Sequence, residues 1–143
     1  MIVFVMRAPS AKKNKYKQMK NTLKKMNLEF CGTGKHKISL EKFFETQNTV
    51  FLDVRDKKEV EILGFNLETF GIKTLNIPIT ELPDRINELP ENKIIACFCS
   101  TGTRSAWAYI YLFSKGYNVK WFEVSNEDLA KYLKPGNILK ATR

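Results

Sequence analysis

Residues 93–115 read Lys93-Ile-Ile-Ala-Cys-Phe-Cys-Ser-Thr-Gly-Thr-Arg-Ser-Ala-Trp-Ala-Tyr-Ile-Tyr-Leu-Phe-Ser-Lys115. The run Ile94 to Phe98 is apolar, short, and built of β-branched and aromatic residues, which predicts a buried strand. Ala106, Tyr109, Ile110 and Phe113 then recur at helical spacing, which predicts a helix over 105–113. Between strand and helix lie Ser100, Thr101, Gly102 and Thr103, small residues that let the backbone curl and turn its N–H groups inward. Cys99 therefore stands at a strand end, on the rim of a loop that feeds a helix N-terminus. Converging N–H groups and the positive end of a helix dipole stabilise a thiolate over a thiol, and Arg104 adds a cation at the rim. The bland alternative is a small buried hydrophobe, the commonest fate of a free cysteine. An inert cysteine, however, needs neither a small-residue loop nor an arginine closing it.

Working outward, strands and helices alternate. Val50–Val54 reads as a strand, Lys57–Leu63 as a helix, Thr74–Ile77 as a strand and Glu81–Leu89 as a helix. After the central stretch come a strand over Val119–Val124 and a helix over Glu127–Leu133, with Asn126 available as its cap. Such alternation implies an α/β fold, a mainly parallel sheet with helices on both faces, whose ligands bind beyond the carboxyl ends of the strands. Asp53 and Cys99 both fall at such ends. Asp53 beside a thiolate would raise the thiol's pKa, so its expected role is support of the site. Arg55 either pairs with a carboxylate or lines an anion entrance.

Cys99-x-x-Gly102-x-Arg104-Ser105 after a hydrophobic strand resembles the active-site loop of the rhodanese family of thiol-based sulfurtransferases. Upstream, Asp53-Val54-Arg55 resembles the family's strand ending, Glu59 and Gly64 its acidic helix and following glycine, and Asn76-Ile77-Pro78 its next strand end. The resemblance runs from about residue 38 to about residue 124 and rests on the combination of these pieces. It implies a rhodanese-like fold and a two-step transfer. The Cys99 thiolate would take a sulfane sulfur from thiosulfate or a related donor, and Ser100, Thr101, Gly102, Thr103 and Arg104 would bind the substrate and the resulting persulfide. Cyanide, a small thiol or a protein thiol would accept the sulfur, with no cofactor and no metal.

Two departures stand out. Where many relatives carry Gly-His-Ile, Gly64 is followed by Phe65 to Gly71 before Ile72, an insertion. Where many carry Glu-Gly-Gly after the last strand, this chain has Glu123-Val124-Ser125. Two other functions remain open: a thiol phosphatase or arsenate reductase, and a non-catalytic partner-binding module. The first mounts Cys-x5-Arg, which would put the arginine at position 105, where Ser105 stands. The second would be favoured by a missing cysteine, and Cys99 is present.

The 143 residues suffice for one domain with a core. Charge divides it: residues 1–37 hold 10 of the 24 Lys and Arg and only Glu29 of the 15 acids, whereas residues 38–143 are balanced. A basic arm and linker over 1–37 followed by a domain over 38–143 is the expected organisation. Within the arm Tyr16, Met19, Leu23, Met26 and Phe30 form a helical stripe among lysines, behind Pro9. That stripe packs on the domain or on a twin subunit, or else the helix lies on an acidic membrane or along nucleic acid. Met1–Met6 is an extra edge strand or disordered.

Three cysteines without framework spacing point to a reducing compartment, and the short opening apolar run is neither a membrane span nor a secretory signal, so a cytoplasmic location is expected. Cys31, in the glycine-rich stretch 31–37, is either a resolving thiol for Cys99 or a spectator. His36, the single histidine, is a poor base for a Cys-His pair, and Cys97 and Cys99 make no chelate.

Overall fold

In a computed structural model, which describes residues 10–143, five strands form one sheet. They are β1 (Lys37–Ile38), β2 (Thr49–Asp53), β3 (Lys73–Asn76), β4 (Ile94–Phe98) and β5 (Val119–Phe122). The order is β1-β5-β4-β2-β3 and every pairing is parallel. Central β2 is buried along its whole length, as the two covered faces of a parallel sheet require. From β2 the chain moves outward to β3; from β4 it moves the opposite way to β5. The carboxyl ends of adjacent β2 and β4 thus mark a topological switch point, where ligands of such sheets bind.

The helices are α1 (Ser10–Lys25), α2 (Leu28–Gly32), α3 (Leu40–Glu45), α4 (Lys57–Ile62), α5 (Leu82–Arg85), α6 (Thr103–Ser114), α7 (Asn126–Tyr132) and α8 (Pro135–Ala141), of which α3, α5, α6 and α7 bury side chains against the sheet. Side-chain alternation along the strands splits the core in two. Leu52, Ile95, Cys97 and Val119 face Ala108, Tyr109 and Leu112 of α6 and Leu82 of α5. Phe51, Ala96, Phe98 and Phe122 face Phe43 of α3 and Leu129 of α7. The second face is aromatic, with Phe43 and Phe122 ring centroids 4.4 Å apart and Phe51 and Phe98 5.2 Å apart. The insertion after Gly64 belongs to it: Phe65 and Leu67 are buried there, ahead of a short 3-10 turn at Glu68–Phe70.

Several expected boundaries move. The helix expected over 81–89 is α5 followed by a 3-10 turn at Ile86–Glu88, with the Arg85 fork gripping Glu81 and Glu88 across the join. The last strand stops at Phe122, two residues early. Ser125, not Asn126, caps α7, its hydroxyl accepting the Asp128 N–H at 3.1 Å.

The arm's stripe also divides. It breaks after Lys25 because Asn27 starts a new helix, its side-chain oxygen accepting the Phe30 N–H at 2.8 Å. Met26 packs on the α6-side core, and Phe30 sits 5.8 Å from Phe113 of α6. Tyr16, Met19 and Leu23 remain exposed, whereas Thr22 is buried. The stretch expected as a linker carries the end of α2 and enters the sheet: the His36 carbonyl accepts the Trp121 N–H at 2.8 Å, and Lys37 and Ile38 pair with β5. The expectation for Met1–Met6 lies outside the described residues. No helix among the described residues is long and apolar enough to cross a membrane.

Candidate active site

The loop after β4 wraps the sulfur of Cys99. Gly102 makes this possible: its φ of +88° is a conformation that residues with a Cβ rarely adopt, and a Cβ there would lie 3.4 Å from the Trp121 ring. The turn aims the Gly102 N–H at Cys99 Sγ at 3.1 Å and the Ser105 N–H, in the first turn of α6, at 3.4 Å. The Cys99 thiol donates to Ser105 Oγ at 3.4 Å, Ser105 Oγ donates to the Gly102 carbonyl at 3.0 Å, and the Trp121 indole N–H donates to Ser105 Oγ at 3.0 Å. Once the thiol loses its proton, the Ser105 hydroxyl is free to turn toward the sulfur while the indole keeps hold of its oxygen.

Cys99 is almost wholly buried. That burial opposes ionisation, but the Ser105 hydroxyl and the backbone N–H groups of Ser105, Thr101 and Gly102 outweigh it, and the thiol titrates below its ordinary value. Cys97 differs: sealed in the core with no such donors, its thiol is pushed far up by burial first and by Cys99 second. Cys31 is exposed. With His36 and Tyr109 it lines a separate cavity of about 150 Å³, and Trp121 stands in the walls of both this cavity and the one beside the Cys99 loop. His36 packs on Trp121, its pKa lowered by burial ahead of the neighbouring Lys37.

Asp53 and Arg55 meet beneath the site, not at its entrance. Arg55 Nη2 reaches Asp53 Oδ2 at 2.6 Å and its Nε reaches Oδ1 at 2.9 Å, with both side chains 2% exposed. The Arg55 backbone N–H also donates to Asp53 Oδ1 at 3.0 Å. Its guanidinium lies 5.5 Å from the Phe65 ring and 5.3 Å from the Phe98 ring. The pair closes the end of β2, where the Val54 N–H bonds the Phe98 carbonyl and ties this turn to the root of the Cys99 loop. Removing either partner would strand a buried charge.

Arg104 is turned toward α4. Its two terminal nitrogens grip Glu59 at 2.6 and 2.8 Å, and one also donates to Ser100 Oγ at 3.3 Å. Glu59 simultaneously completes a capping box with Asp56, so the clamp joins the start of α4 to the Cys99 loop. The Arg104 hydrogen bonds lead the causes that push the Glu59 carboxyl down to about 2. The cation is therefore balanced by a carboxylate, and Arg104 does not line the adjacent cavity. That cavity, about 560 Å³, is walled by Ser100 to Thr103 on one side and by Trp121, Glu123, Val124, Ser125 and Asp128 on the other. Among the described residues no three His, Cys, Asp or Glu side chains gather as a metal site.

Sequence reasoning missed the partners of the expected residues: Glu59 as the counter-ion of Arg104, and Trp121 as the donor to Ser105. The Asp56-x-x-Glu59 spacing signals a capping box, but nothing local signals its second partner.

A cysteine cradled by backbone N–H groups at the carboxyl end of β4, in a parallel sheet of this order, agrees with what known proteins share with the chain. Residues 37–130 match the Rhodanese-like domain. The chain belongs to the rhodanese-like domain family. A tRNA sulfurtransferase of Tolumonas auensis is 31% identical over 72 residues, which are 50% of this chain and 14% of that protein. The chain thus spans a small fraction of that relative. A sulfurtransferase of Allochromatium vinosum is 25% identical over 77 residues, 54% of this chain and 66% of that protein. Among solved structures, a rhodanese-related protein of Thermoplasma volcanium superposes with a TM-score of 0.57 at 26% identity, covering 70% of this chain and 95% of its own. An NAD-dependent persulfide reductase of A. fulgidus gives 0.50 at 34% identity, over 63% of this chain and 15% of its own. Within this rhodanese-like domain the sulfurtransferase names are those of the relatives.

Proposed function

We propose that this rhodanese-like protein moves sulfane sulfur through a persulfide on Cys99. The observation that carries the reading is the pair of N–H groups, from Gly102 and Ser105, aimed at a thiol whose ionisation they favour. In the first half-reaction the Cys99 thiolate attacks the outer sulfur of thiosulfate; the S–S bond breaks, sulfite leaves with the electron pair, and Cys99 carries a persulfide. In the second a thiolate or cyanide attacks the terminal sulfur, and the Cys99 thiolate is the leaving group. Ser100 to Thr103 offer their backbone and hydroxyls to the terminal sulfur, Arg104 braces the loop, and Asp53 with Arg55 supports it. The relatives' names, tRNA sulfurtransferase, sulfurtransferase and persulfide reductase, support a sulfur-handling role. We assign this chemistry to residues 38–143, with 1–37 as an attached basic arm, and place it in a reducing, cytoplasmic compartment where free thiols persist.

The phosphatase reading has less support. A tetrahedral oxyanion needs a cationic fork over the cradle, and the one arginine of the loop is already held by Glu59. Sulfur transfer from thiosulfate to cyanide tests the proposal: wild type should yield thiocyanate with ping-pong kinetics, and Cys99→Ser should yield none. Undiminished activity in Cys99→Ser, or aryl-phosphate hydrolysis by wild type without thiocyanate formation, would overturn it.

A further inference from the structure

The wall opposite the catalytic loop differs in charge from the loop itself. The loop contributes neutral Ser100, Thr101, Gly102 and Thr103, while the facing wall contributes Glu123 and Asp128, and no lysine or arginine lines the cavity. The nearest loop cation, Arg104, has its charge balanced by a two-pronged bond to Glu59. The positive end of α7 does not reverse this, because Ser125 caps it and Glu127 and Asp128 sit in its first turn. Glu123 and Asp128 are exposed and, among the described residues, in no salt bridge. An anion approaching the loop through this cavity meets two carboxylates, and a cation is drawn in.

Resting on the sulfur-transfer reading, we infer that Glu123 and Asp128 select sulfur carriers with positive charge beside the reacting sulfur. Such a carrier is an aminothiol, or a cysteine flanked by lysine or arginine on a partner protein. The step is balanced without any added oxidant or reductant: the carrier's thiolate attacks the terminal sulfur of Cys99–S–SH, a new S–S bond forms, and the Cys99 thiolate departs with the electron pair of the broken bond. In the reverse direction the carrier persulfide delivers its outer sulfur to the Cys99 thiolate. Thiosulfate, a dianion, is then a usable but disfavoured donor.

The test loads Cys99 with polysulfide and follows discharge of the persulfide by cysteamine, 2-mercaptoethanol and mercaptoacetate, in wild type and in Glu123→Gln/Asp128→Asn. Comparing each acceptor with itself across the two proteins cancels its intrinsic reactivity. At low salt the variant should discharge about threefold more slowly to cysteamine and about threefold faster to mercaptoacetate, with mercaptoethanol unchanged, and high salt should compress these differences. Glu123→Lys should carry the preference toward mercaptoacetate further. Cysteine peptides flanked by lysine or by glutamate distinguish the two sources. A carrier on a protein would make the lysine peptide respond more strongly than cysteamine, and a small aminothiol would leave the two alike. Equal changes for all acceptors in a protein that loads sulfur would overturn the charge selection alone. Failure of Cys99 to load sulfur from any donor would overturn the transfer reading and this inference with it.

Discussion

At the scale of single residues, the ionisation of Cys99 depends on where one hydroxyl proton goes. Ser105 Oγ has one proton to give and three neighbours: the Cys99 sulfur, the Gly102 carbonyl and the Trp121 indole N–H, which fixes the oxygen. The Cys99 pKa is lowered, so the thiolate's contribution to stability is fully present above the thiol's ordinary value of 9.0 and is lost as pH falls through the lowered pKa. Ser105→Ala removes the side-chain donor and should raise the midpoint of Cys99 alkylation against pH, with loading about tenfold slower near neutrality. Read in a Cys31→Ser background, an unmoved midpoint would show that the backbone donors suffice. Cys99 and the loop were legible in the sequence because strand, small residues and helix are contiguous. Trp121 was not, since its contact with Ser105 spans 16 residues and depends on β5 lying beside β4. The side of the loop that Arg104 would face was equally hidden, because its partner lies 45 residues away.

At the scale of elements, the Glu59–Arg104 clamp joins α4 to the Cys99 loop. The bond partners are about one-third exposed, so its direct worth to stability is about 0.5–1 kcal/mol, and its main effect is on loop geometry. With Glu59 depressed to about 2, the clamp's contribution is fully present above the ordinary carboxylate value of 4.5 and is lost only as pH falls through about 2. Acid should therefore silence sulfur loading by protonating Cys99 before it opens the clamp. Arg104→Ala and Glu59→Gln should slow loading alike, severalfold, and leave the alkylation midpoint in place. A midpoint that rises in the first variant and falls in the second would show instead that the arginine acts on the thiol through its charge. Long periodic elements such as α6 and the buried strands read well, because their apolar pattern repeats. Boundaries set by capping read less well: Ser125 in place of Asn126, and Asn27 inside what looks like one stripe. Pro135 at the first turn of α8 is an ordinary start signal, but the helix that it begins went unanticipated.

At the scale of the whole molecule, the alternating pattern was enough for a parallel sheet covered on both faces, and the switch point between β2 and β4 brings Asp53 and Cys99 to one end of it. The attachment of the arm could not be read, because a stripe of apolar residues does not say which of its members find a surface. Met26 and Phe30 do, against α6, whereas Tyr16, Met19 and Leu23 do not. Replacing the exposed Tyr16 and Met19 by serine should therefore leave both melting temperature and sulfur loading nearly unchanged. Removal through residue 30 should destabilise the protein by about 2–4 kcal/mol, because it uncovers the Met26 and Phe30 contacts. A collapse of loading in the Tyr16→Ser/Met19→Ser variant, with the fold intact, would show that the arm takes part in the chemistry. The central claim is that sulfur rides on Cys99, and peptide mass spectrometry after incubation with thiosulfate or polysulfide tests it most directly. One added sulfur on the peptide containing Cys99, released by cyanide and absent in Cys99→Ser, is the predicted result. Cys97 lies on the same strand, so fragmentation within that peptide must place the sulfur. Sulfur found on Cys31 or Cys97 with Cys99 unmodified would contradict the account.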